Sequence, residues 1–314
     1  MAVKRPTKAK KTKHVSPKNN SRSKKQPLIK TIANRKVKKT FPVSINVPQI
    51  ENLLSELEYG EELAEYYDLI YSEKVIHQIQ SPFFQMLIKK YGIRSACDLS
   101  CRSGQTLAAL SKLGIKNLTG VDVSSKMLDL ARKRCPSKTQ FYQSELFLAP
   151  HTIGDETKFD LVLCSRDALP LVLDDEGLLG FMAQARNLLS PNGILVIETW
   201  NYDKIWRRKE RFMPVMDRCS NKQSLLFFIE NDFHGELLVH NVVKLEKNKF
   251  EWFLRTISTP IRPLTRNEME FFVKEAGFEK YGFLGNYAGS PFNTAESAYC
   301  IMLAMNNTNT ITVS

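Results

Sequence analysis

The sequence lacks several features that would assign it to a particular class of protein. It contains no apolar run of the roughly 20 residues that a membrane-spanning helix needs, and no apolar segment of the kind found in secretory signal peptides. Its six cysteines show neither zinc-type spacing nor a regular framework. We therefore expect free thiols in a reducing compartment, with no metal site and no disulfide.

Acidic residues are missing from the first 40 positions, although this stretch contains 15 lysines and arginines. Because the whole chain carries a formal net charge of +12, the remainder is slightly acidic, at about −3. Residues 1–45 also lack apolar periodicity and are predicted to be a disordered basic tail. Two interpretations stay open. Residues 1–40 either bind nucleic acid or another anionic surface, or they are a solubilising extension.

The stretch from residue 91 to residue 150 repeats a pattern of short apolar run, turn and amphipathic helix. Its first unit runs from Ser95 to Asp98, breaks into small residues as far as Gly104, and continues as a helix over Gln105–Leu110. Glycine is scarce in this turn. Even so, small side chains let a ligand approach the backbone, and the helix N-terminus offers unpaired N–H donors.

The next two units each place an acidic residue at the end of a predicted strand. Leu118–Val123 contains Asp122 and precedes a predicted helix over Lys126–Arg134. An acid about 20 residues beyond the first turn is where α/β nucleotide-binding folds hold the ribose hydroxyls. The third unit, Gln140–Glu145, also ends in an acid. The three carboxylates should therefore lie at one edge of a parallel sheet.

These segments resemble the class I S-adenosylmethionine-dependent methyltransferases, in particular the small-molecule, glycine/sarcosine N-methyltransferase-like type. The matching stretches follow the order of the family's motifs: Asp98–Gly104, Gly120–Leu128, Phe141–Glu145, Lys158–Leu169, Leu188–Ile197 and Ala276–Phe278. The resemblance implies a Rossmann-like α/β sheet with helices on both faces. It also implies one methyltransferase domain over residues 46–305, followed by a frayed C-terminus at 306–314.

An antiparallel β insertion is predicted at about residues 206–260, where the helical pattern gives way to short apolar runs. Turns are expected at Glu230–Asp232 and Lys247–Lys249. In the family, such an insertion covers the active site. Elsewhere, Pro82 is predicted in the first turn of a helix, and Pro191–Gly193 is predicted as a turn before a strand over residues 194–198.

The resemblance implies S-adenosyl-L-methionine as the cofactor and assigns its contacts. Asp122 would accept hydrogen bonds from both ribose hydroxyls, as a carboxylate can. Glu145 would hold the adenine amino group beside Leu146, which would cover the ring, and Asp98 would face the methionine ammonium. The complete predicted set is Tyr71, Asp98, Ser100, Gly104, Asp122, Val123, Met127, Glu145, Leu146 and Cys164.

On the acceptor side, the resemblance implies that Asp167 and Tyr202 are catalytic and that Asn201 and Arg262 bind the substrate. Asn201 and Tyr202 lie in a stretch similar to the Asn-Tyr-Asp segment of glycine/sarcosine-type enzymes, and Arg262 is suited to a carboxylate. These residues favour a small polar acceptor. Methyl transfer from a sulfonium is an in-line displacement that needs orientation more than a catalytic triad or a metal.

One position departs from the family. Arg102 stands where the family usually has glycine, so its side chain must point away from the cofactor or clamp the cofactor's carboxylate. Three functions therefore remain open. The first, which we favour, is a small-molecule methyltransferase. The others are an RNA or protein methyltransferase docked by the basic tail, and an inactive cofactor-binding homologue. We expect a cytoplasmic protein, or a nuclear one if eukaryotic, without membrane insertion.

Overall fold

The computed structural model describes residues 53–154, 156–219 and 224–306. The predicted basic tail, residues 1–45, lies outside the described residues, as does the predicted frayed end except Asn306.

The helices are α1 (Glu56–Leu63), α2 (Tyr67–Ile70), α3 (Glu73–Tyr91), α4 (Gln105–Lys112), α5 (Ser125–Arg134), α6 (Ala149–Ile153), α7 (Asp175–Leu188), α8 (Tyr202–Arg208) and α9 (Arg266–Glu275). The strands are β1 (Ser95–Asp98), β2 (Asn117–Asp122), β3 (Gln140–Gln143), β4 (Phe159–Cys164), β5 (Leu189–Trp200), β6 (Met216–Asp217), β7 (Ser224–His234), β8 (Leu237–Lys247), β9 (Trp252–Ile261), β10 (Lys280–Leu284) and β11 (Tyr299–Met305).

The main sheet has the strand order β10-β11-β5-β4-β1-β2-β3. Strands β1 to β5 are parallel to one another, whereas β11 pairs antiparallel with β5 and β10 pairs antiparallel with β11. This confirms the predicted Rossmann-like α/β class. Because β1, β2, β4 and β5 are parallel, their carboxyl ends lie along one edge of the sheet, where ligands bind in such folds.

Helices cover both faces of the main sheet, as the nearly continuous apolar strands require. One core contains Phe181 of α7 and Phe272 of α9 against the inner side chains of β4 and β5. The other contains Phe84 of α3 and Leu107 of α4. Apolar cores therefore cover both faces of the central strands.

Helix α3 corrects one sequence prediction. Pro82 was expected at a helix N-terminus, but it lies inside a continuous 19-residue helix that begins at Glu73. Proline cannot donate the hydrogen bond to the carbonyl four residues earlier, here that of Gln78. Both Pro82 and Gln78 are exposed, so water can bond to this carbonyl. Solvation is the reason that the helix tolerates proline at this position.

A second, antiparallel sheet has the order β6-β7-β8-β9, which confirms the predicted insertion. The turn predicted at Glu230–Asp232 is wrong, because these residues lie inside the 11-residue strand β7. Cross-strand bonds explain the difference, since the buried Asn231 side chain pairs with the His240 ring of β8 at 3.1 Å. The chain instead reverses at Gly235, which has φ of 58°.

One further boundary depends on pairing between segments. Pro191–Gly193 was predicted as a turn, yet it falls within β5, which runs from Leu189 to Trp200. The pairing of β4 with β5 shifts register here, between Phe159 and Leu161, so the expected turn is an irregularity inside the strand.

The second sheet packs on α1 through β9. Just before this helix, the Leu54 N–H donates to the Ser258 carbonyl of β9 at 2.9 Å.

Within the described residues, all six cysteines are free thiols, and five of them are buried. That part of the chain contains no cluster of three or more histidine, cysteine or acidic side chains placed to hold a metal ion. No helix that the structure describes is long and apolar enough to cross a membrane.

Candidate active site

The turn after β1 is built around Asp98 and Gly104. The Asp98 carboxylate is 1% exposed and accepts a hydrogen bond from the Ser100 N–H at 3.2 Å. Gly104 begins α4 with φ of 77°, and a β-carbon there would lie 2.9 Å from the β-carbon of Ala131 in α5. Glycine is required at this position for close helix packing, while the buried carboxylate faces the edge of the sheet.

Asp122 at the end of β2 lies beside the same turn. Its two carboxylate oxygens accept hydrogen bonds from the Arg102 N–H at 2.9 Å and the Ser124 N–H at 3.0 Å. Burial raises its pKa, although the nearby Arg102 charge opposes that effect. Each oxygen retains a lone pair. The carboxylate is therefore held in a fixed position and can still accept further hydrogen bonds.

Helix α2 is fastened over the turn by Asp68. Its carboxylate accepts hydrogen bonds from the Ser103 hydroxyl at 2.7 Å and the Gln105 side-chain amide at 2.9 Å, and it pairs with Arg134 at 2.6 Å. The Gln105 amide also donates to the Tyr71 carbonyl. These bonds hold the Tyr67–Tyr71 segment above the carboxyl ends of β1 and β2.

Asp167 and Tyr202 meet where β4 and β5 end. The Tyr202 hydroxyl donates to the Asp167 carboxylate at 2.5 Å, and the Trp200 N–H donates to its other oxygen at 3.1 Å. Burial raises the pKa of Asp167 to about 7, against the lowering effect of the Tyr202 hydrogen bond. Arg166 and Asp167 both have positive φ, 62° and 58°. Non-glycine residues adopt this conformation at a cost, and it is common at functional sites.

Arg166 forms the other side of this edge. Its guanidinium lies 5.3 Å from the centre of the Tyr71 ring, and the carboxylate of Glu198 is among the charges that raise its pKa. Glu198 itself accepts a hydrogen bond from Tyr287, whose hydroxyl accepts one from the side chain of Gln80 at 2.9 Å. The edge thus presents both charge signs.

A small cavity lies between these elements. It is lined by Tyr67, Asp98, Ser100, Cys101, Gln105, Thr106, Ser165 and Arg166. Two buried side-chain oxygens of the described residues have no hydrogen-bond partner, Gln105 Oε1 and Ser165 Oγ, and both belong to the lining. Burial raises the pKa of Asp98, which also lines the cavity, to about 7. A buried carboxylate beside two unpartnered oxygens favours a ligand that brings N–H donors and positive charge.

The other predicted cofactor residues have varied surroundings. Met127 is fully buried against Tyr59 and Leu63 of α1, whereas Leu146 and Cys164 belong to the main-sheet core. The remaining two lie nearer the surface: Val123 is half-buried and Glu145 is exposed. The structure therefore groups Asp98, Ser100, Asp122 and Tyr71 around the turn, and the contacts expected of the others stay predictions.

Two residues predicted to bind the acceptor have partners within the protein. The Arg262 side chain is 5% exposed and pairs with Asp175 of α7 at 2.6 Å and Glu268 of α9 at 3.0 Å. The Asn201 amide nitrogen donates to the carbonyls of Asn293, Thr294 and Ser297, while its oxygen caps α8. The substrate role expected of both residues stays a prediction.

The sequence interpretation missed several residues of this site. Gln80, Gln105 and Tyr287 come from separate elements and lie outside the matching stretches. Ser165 and Arg166 lie within the matching stretch Lys158–Leu169, but no role was assigned to them. The position of Ser165 and Arg166 directly after β4 was the one available signal, since strand ends face the ligand in such sheets. Gln80 and Tyr287 lie 207 positions apart in the chain, a contact that periodicity does not reveal.

Comparison with known proteins relates this geometry to a family. Residues 96–193, which run from β1 into β5, match the family described as Methyltransferase domain. The segment from β1 into β5 thus resembles a methyltransferase domain. The matched segment contains the turn after β1, the carboxylate of β2 and the segment after β4.

The chain is similar to curated proteins over part of their length. The chain is 24% identical over 152 residues to a glycine/sarcosine N-methyltransferase of Parasynechococcus marenigrum (strain WH8102), which covers 47% of this chain and 52% of that protein. It is 31% identical over 113 residues to a ubiquinone biosynthesis O-methyltransferase of Actinobacillus pleuropneumoniae serotype 7 (strain AP76). This match covers 34% of this chain and 46% of that protein. The chain thus matches about half the length of these relatives.

A solved structure extends the likeness beyond the matched segment. S-adenosylmethionine-bound CalS10, an amino pentose methyltransferase from Micromonospora echinaspora, has a TM-score of 0.61 to this chain at 18% identity. The match covers 77% of this chain and 96% of that chain. At this identity the likeness concerns the fold, which the two proteins share over most of their length.

Proposed function

We propose that the chain is an S-adenosylmethionine-dependent methyltransferase that acts on a small polar acceptor. The observation that carries the proposal is the cavity next to the turn, where the buried Asp98 carboxylate and the unpartnered oxygens of Gln105 and Ser165 converge. These groups match a ligand with an ammonium group, such as the amino-acid end of S-adenosylmethionine. Asp122, at the neighbouring strand end, matches the ribose hydroxyls.

The residues present fit this cofactor at both of its polar ends. Asp98 and the two unpartnered oxygens would hold the ammonium, and Asp122 would hold the ribose with its remaining lone pairs. When bound, the cofactor supplies an electrophilic methyl group on a positively charged sulfur. The protein's task is to orient the acceptor in line with that methyl group and to exclude water. The Tyr67–Tyr71 segment, fastened by Asp68, serves that exclusion.

The acceptor side is proposed to consist of Asp167, Tyr202 and Arg166. With a pKa of about 7, Asp167 can accept a proton from an acceptor amine or hydroxyl near neutral pH. Tyr202 holds the carboxylate through its 2.5 Å hydrogen bond. Arg166 would attract an anionic group on the acceptor. The names of the relatives, which include N- and O-methyltransferases, support a small acceptor without selecting between nitrogen and oxygen.

A methyl-transfer screen tests the proposal. The full chain is incubated with S-adenosylmethionine carrying a labelled methyl group and with a pool of small amines, amino acids and hydroxylated metabolites. We expect label in at least one metabolite, and we expect Asp167→Asn to abolish the transfer while Asp129→Asn, on the exposed face of α5, retains it. Failure to label any metabolite, in a preparation that binds the cofactor, would contradict the small-acceptor proposal.

A second candidate rests on the 15 basic residues in the first 40 positions, which favour an RNA or protein substrate docked by the tail. The two candidates differ in salt dependence, because binding to a polyanion weakens steeply as salt rises. Transfer to RNA that falls between 50 and 200 mM salt and is lost with residues 1–40 would favour this candidate. Transfer to a metabolite that is insensitive to both changes would favour the first.

A further inference from the structure

The free edge of the second sheet is apolar. Among the described residues, its edge strand β9 pairs on one side only, with β8. Trp252, Phe253 and Leu254, at the start of β9, are 48%, 52% and 66% exposed. An edge strand with unpaired backbone groups and exposed apolar side chains is a template for the addition of another strand. Since folded proteins cover or blunt such edges, a segment that covers β9 is expected.

The chain itself reaches this edge just before α1. The Leu54 N–H donates to the Ser258 carbonyl at 2.9 Å, and the Leu54 carbonyl accepts a hydrogen bond from the Thr259 hydroxyl at 3.0 Å. In a parallel pair with Leu54 opposite Thr259, the N–H of residue 260 would donate to the Leu54 carbonyl. Residue 260 is a proline without an N–H, and the Thr259 hydroxyl takes its place. Leu54 is thus bonded to β9 as the last residue of a parallel strand would be.

Helix α1 follows Leu54 but does not occupy the edge. Its Tyr59 and Leu63 share an apolar cluster with Ile257, on the buried face of the second sheet. Near the end of the helix, Glu62 forms an ion pair with Arg255. The helix therefore runs back over the face of the sheet, towards the start of β9. The edge alongside that part of β9 is left for the residues that precede Leu54.

We propose that residues 47–52 form a fifth strand of the second sheet, parallel to β9 and in the register that Leu54 sets. Val47 then lies opposite Trp252 and covers part of its ring. Because Leu54 is already bonded to β9, the segment is held at a high effective concentration beside the edge, which favours it over a second copy of the chain. The added strand leads directly into α1 and fixes the start of that helix.

The register determines which backbone groups pair. Because the Ser258 carbonyl points to the free edge, the N–H and carbonyl groups of Thr256 and Leu254 point there too. The Ile50 N–H then donates to the Leu254 carbonyl, and the Ile50 carbonyl accepts from the Thr256 N–H. Pro48, which has no N–H to donate, becomes the first residue of the strand, where proline is tolerated.

Hydrogen–deuterium exchange of the full chain, measured by NMR, tests the proposal. We expect the Thr256 amide of the wild type to be protected. Ile50→Pro removes a donor to β9 and should speed exchange at Thr256 by at least about tenfold. Gln49→Pro is the matched control, because the Gln49 N–H points away from β9, and it should change the rate by less than about threefold. The Ile257 amide, which faces β8, should stay protected in each variant if the sheet is folded.

Three results would overturn the proposal. Rapid exchange of the Thr256 amide in the wild type would show that the edge is open. Protection that appears only at concentrations where light scattering detects a dimer would show that a second copy covers β9. Equal effects of the two proline substitutions would contradict the register, in which Ile50 and not Gln49 bonds to β9. None of these results bears on the proposed function, because the measurement needs neither donor nor acceptor.

Discussion

At the scale of single residues, the site depends on buried carboxylates whose charge changes near neutral pH. Asp98 lies beside the two unpartnered oxygens, and burial raises its pKa to about 7. Its ionised form is the one that pairs with an ammonium. Because a bound cation favours that ionised form, donor binding and deprotonation of Asp98 are linked.

This linkage predicts the pH dependence of donor affinity. Below pH 7 most Asp98 is protonated, so affinity for S-adenosylmethionine should fall by about tenfold between pH 8 and pH 6. Calorimetry across this range measures the fall. Asp98→Asn should bind weakly at both pH values with a flat profile. Asp167→Asn should keep the pH dependence of donor affinity. If that dependence survives in Asp98→Asn but disappears in Asp167→Asn, then Asp167 and not Asp98 is the group that titrates.

Tyr202 gives a second residue-scale prediction. Its hydroxyl stabilises the ionised form of Asp167, so Tyr202→Phe should raise the pKa of Asp167 further. Once an acceptor is known, the acidic limb of the kcat/KM profile should move to higher pH, with donor affinity unchanged. An unshifted limb together with weaker donor binding would show that Tyr202 acts in packing alone.

At the scale of elements, Arg262 joins the first turns of α7 and α9 through Asp175 and Glu268. Removing one partner of a buried ion pair leaves uncompensated charge. Arg262→Met should therefore lower the free energy of unfolding by about 2 kcal/mol, a value reduced from that of fully buried pairs because Asp175 is partly exposed. Donor affinity should not change. Denaturant unfolding and calorimetry measure the two effects.

Arg266→Met is the matched control, because Arg266 forms a more exposed ion pair with Glu270. This variant should lower the free energy of unfolding by less than about 1 kcal/mol. A large loss of acceptor binding in Arg262→Met, at unchanged stability, would instead support the substrate role expected from the sequence.

Helix α3 provides a direct choice between sequence prediction and structure. If α3 is continuous from Glu73 to Tyr91, Pro82→Ala restores a missing backbone hydrogen bond and should stabilise the protein by about 1–2 kcal/mol. If a helix instead began at Pro82, proline would be favourable there, and the substitution would be neutral or destabilising. Urea unfolding at constant m-value separates these outcomes.

Elements set by local pattern were predictable from the sequence, and those set by distant contacts were not. The strand predicted at Leu118–Val123 and the helix predicted at Lys126–Arg134 appear as Asn117–Asp122 and Ser125–Arg134, since apolar runs and caps are local signals. The turn prediction for Glu230–Asp232 was wrong because partners on β8 form hydrogen bonds with the polar side chains of Glu230 and Asn231.

The same division applies to the site. Asp98 and Asp122 follow from strand ends, which the sequence marks by an acid after an apolar run. The engagement of Arg262 with Asp175 depends on two segments 87 positions apart. Similarly, the sequence identified Arg102 as unusual, but its burial beside Asp122 is a property of the packed turn. Carboxylates at strand ends are thus more predictable than the cations that compensate them.

At the scale of the whole molecule, charge is divided between the basic first 40 residues and a slightly acidic remainder. If the methyltransferase domain acts on a small acceptor, deletion of residues 1–40 should leave its kcat/KM within about twofold of the full chain. The deletion should remove retention on an anionic heparin column. A large loss of metabolite methylation after deletion would show that the tail contributes to catalysis.

The central claim is that Asp122 holds the ribose of S-adenosylmethionine beside the turn after β1, and a calorimetric titration tests it most directly. The account predicts one saturable site in the wild type, at least about tenfold weaker binding in Asp122→Ala and Asp122→Asn, and unchanged binding in Asp129→Ala. Unfolding curves confirm that each variant is folded. Donor affinity in both Asp122 variants equal to that of the wild type would contradict the account.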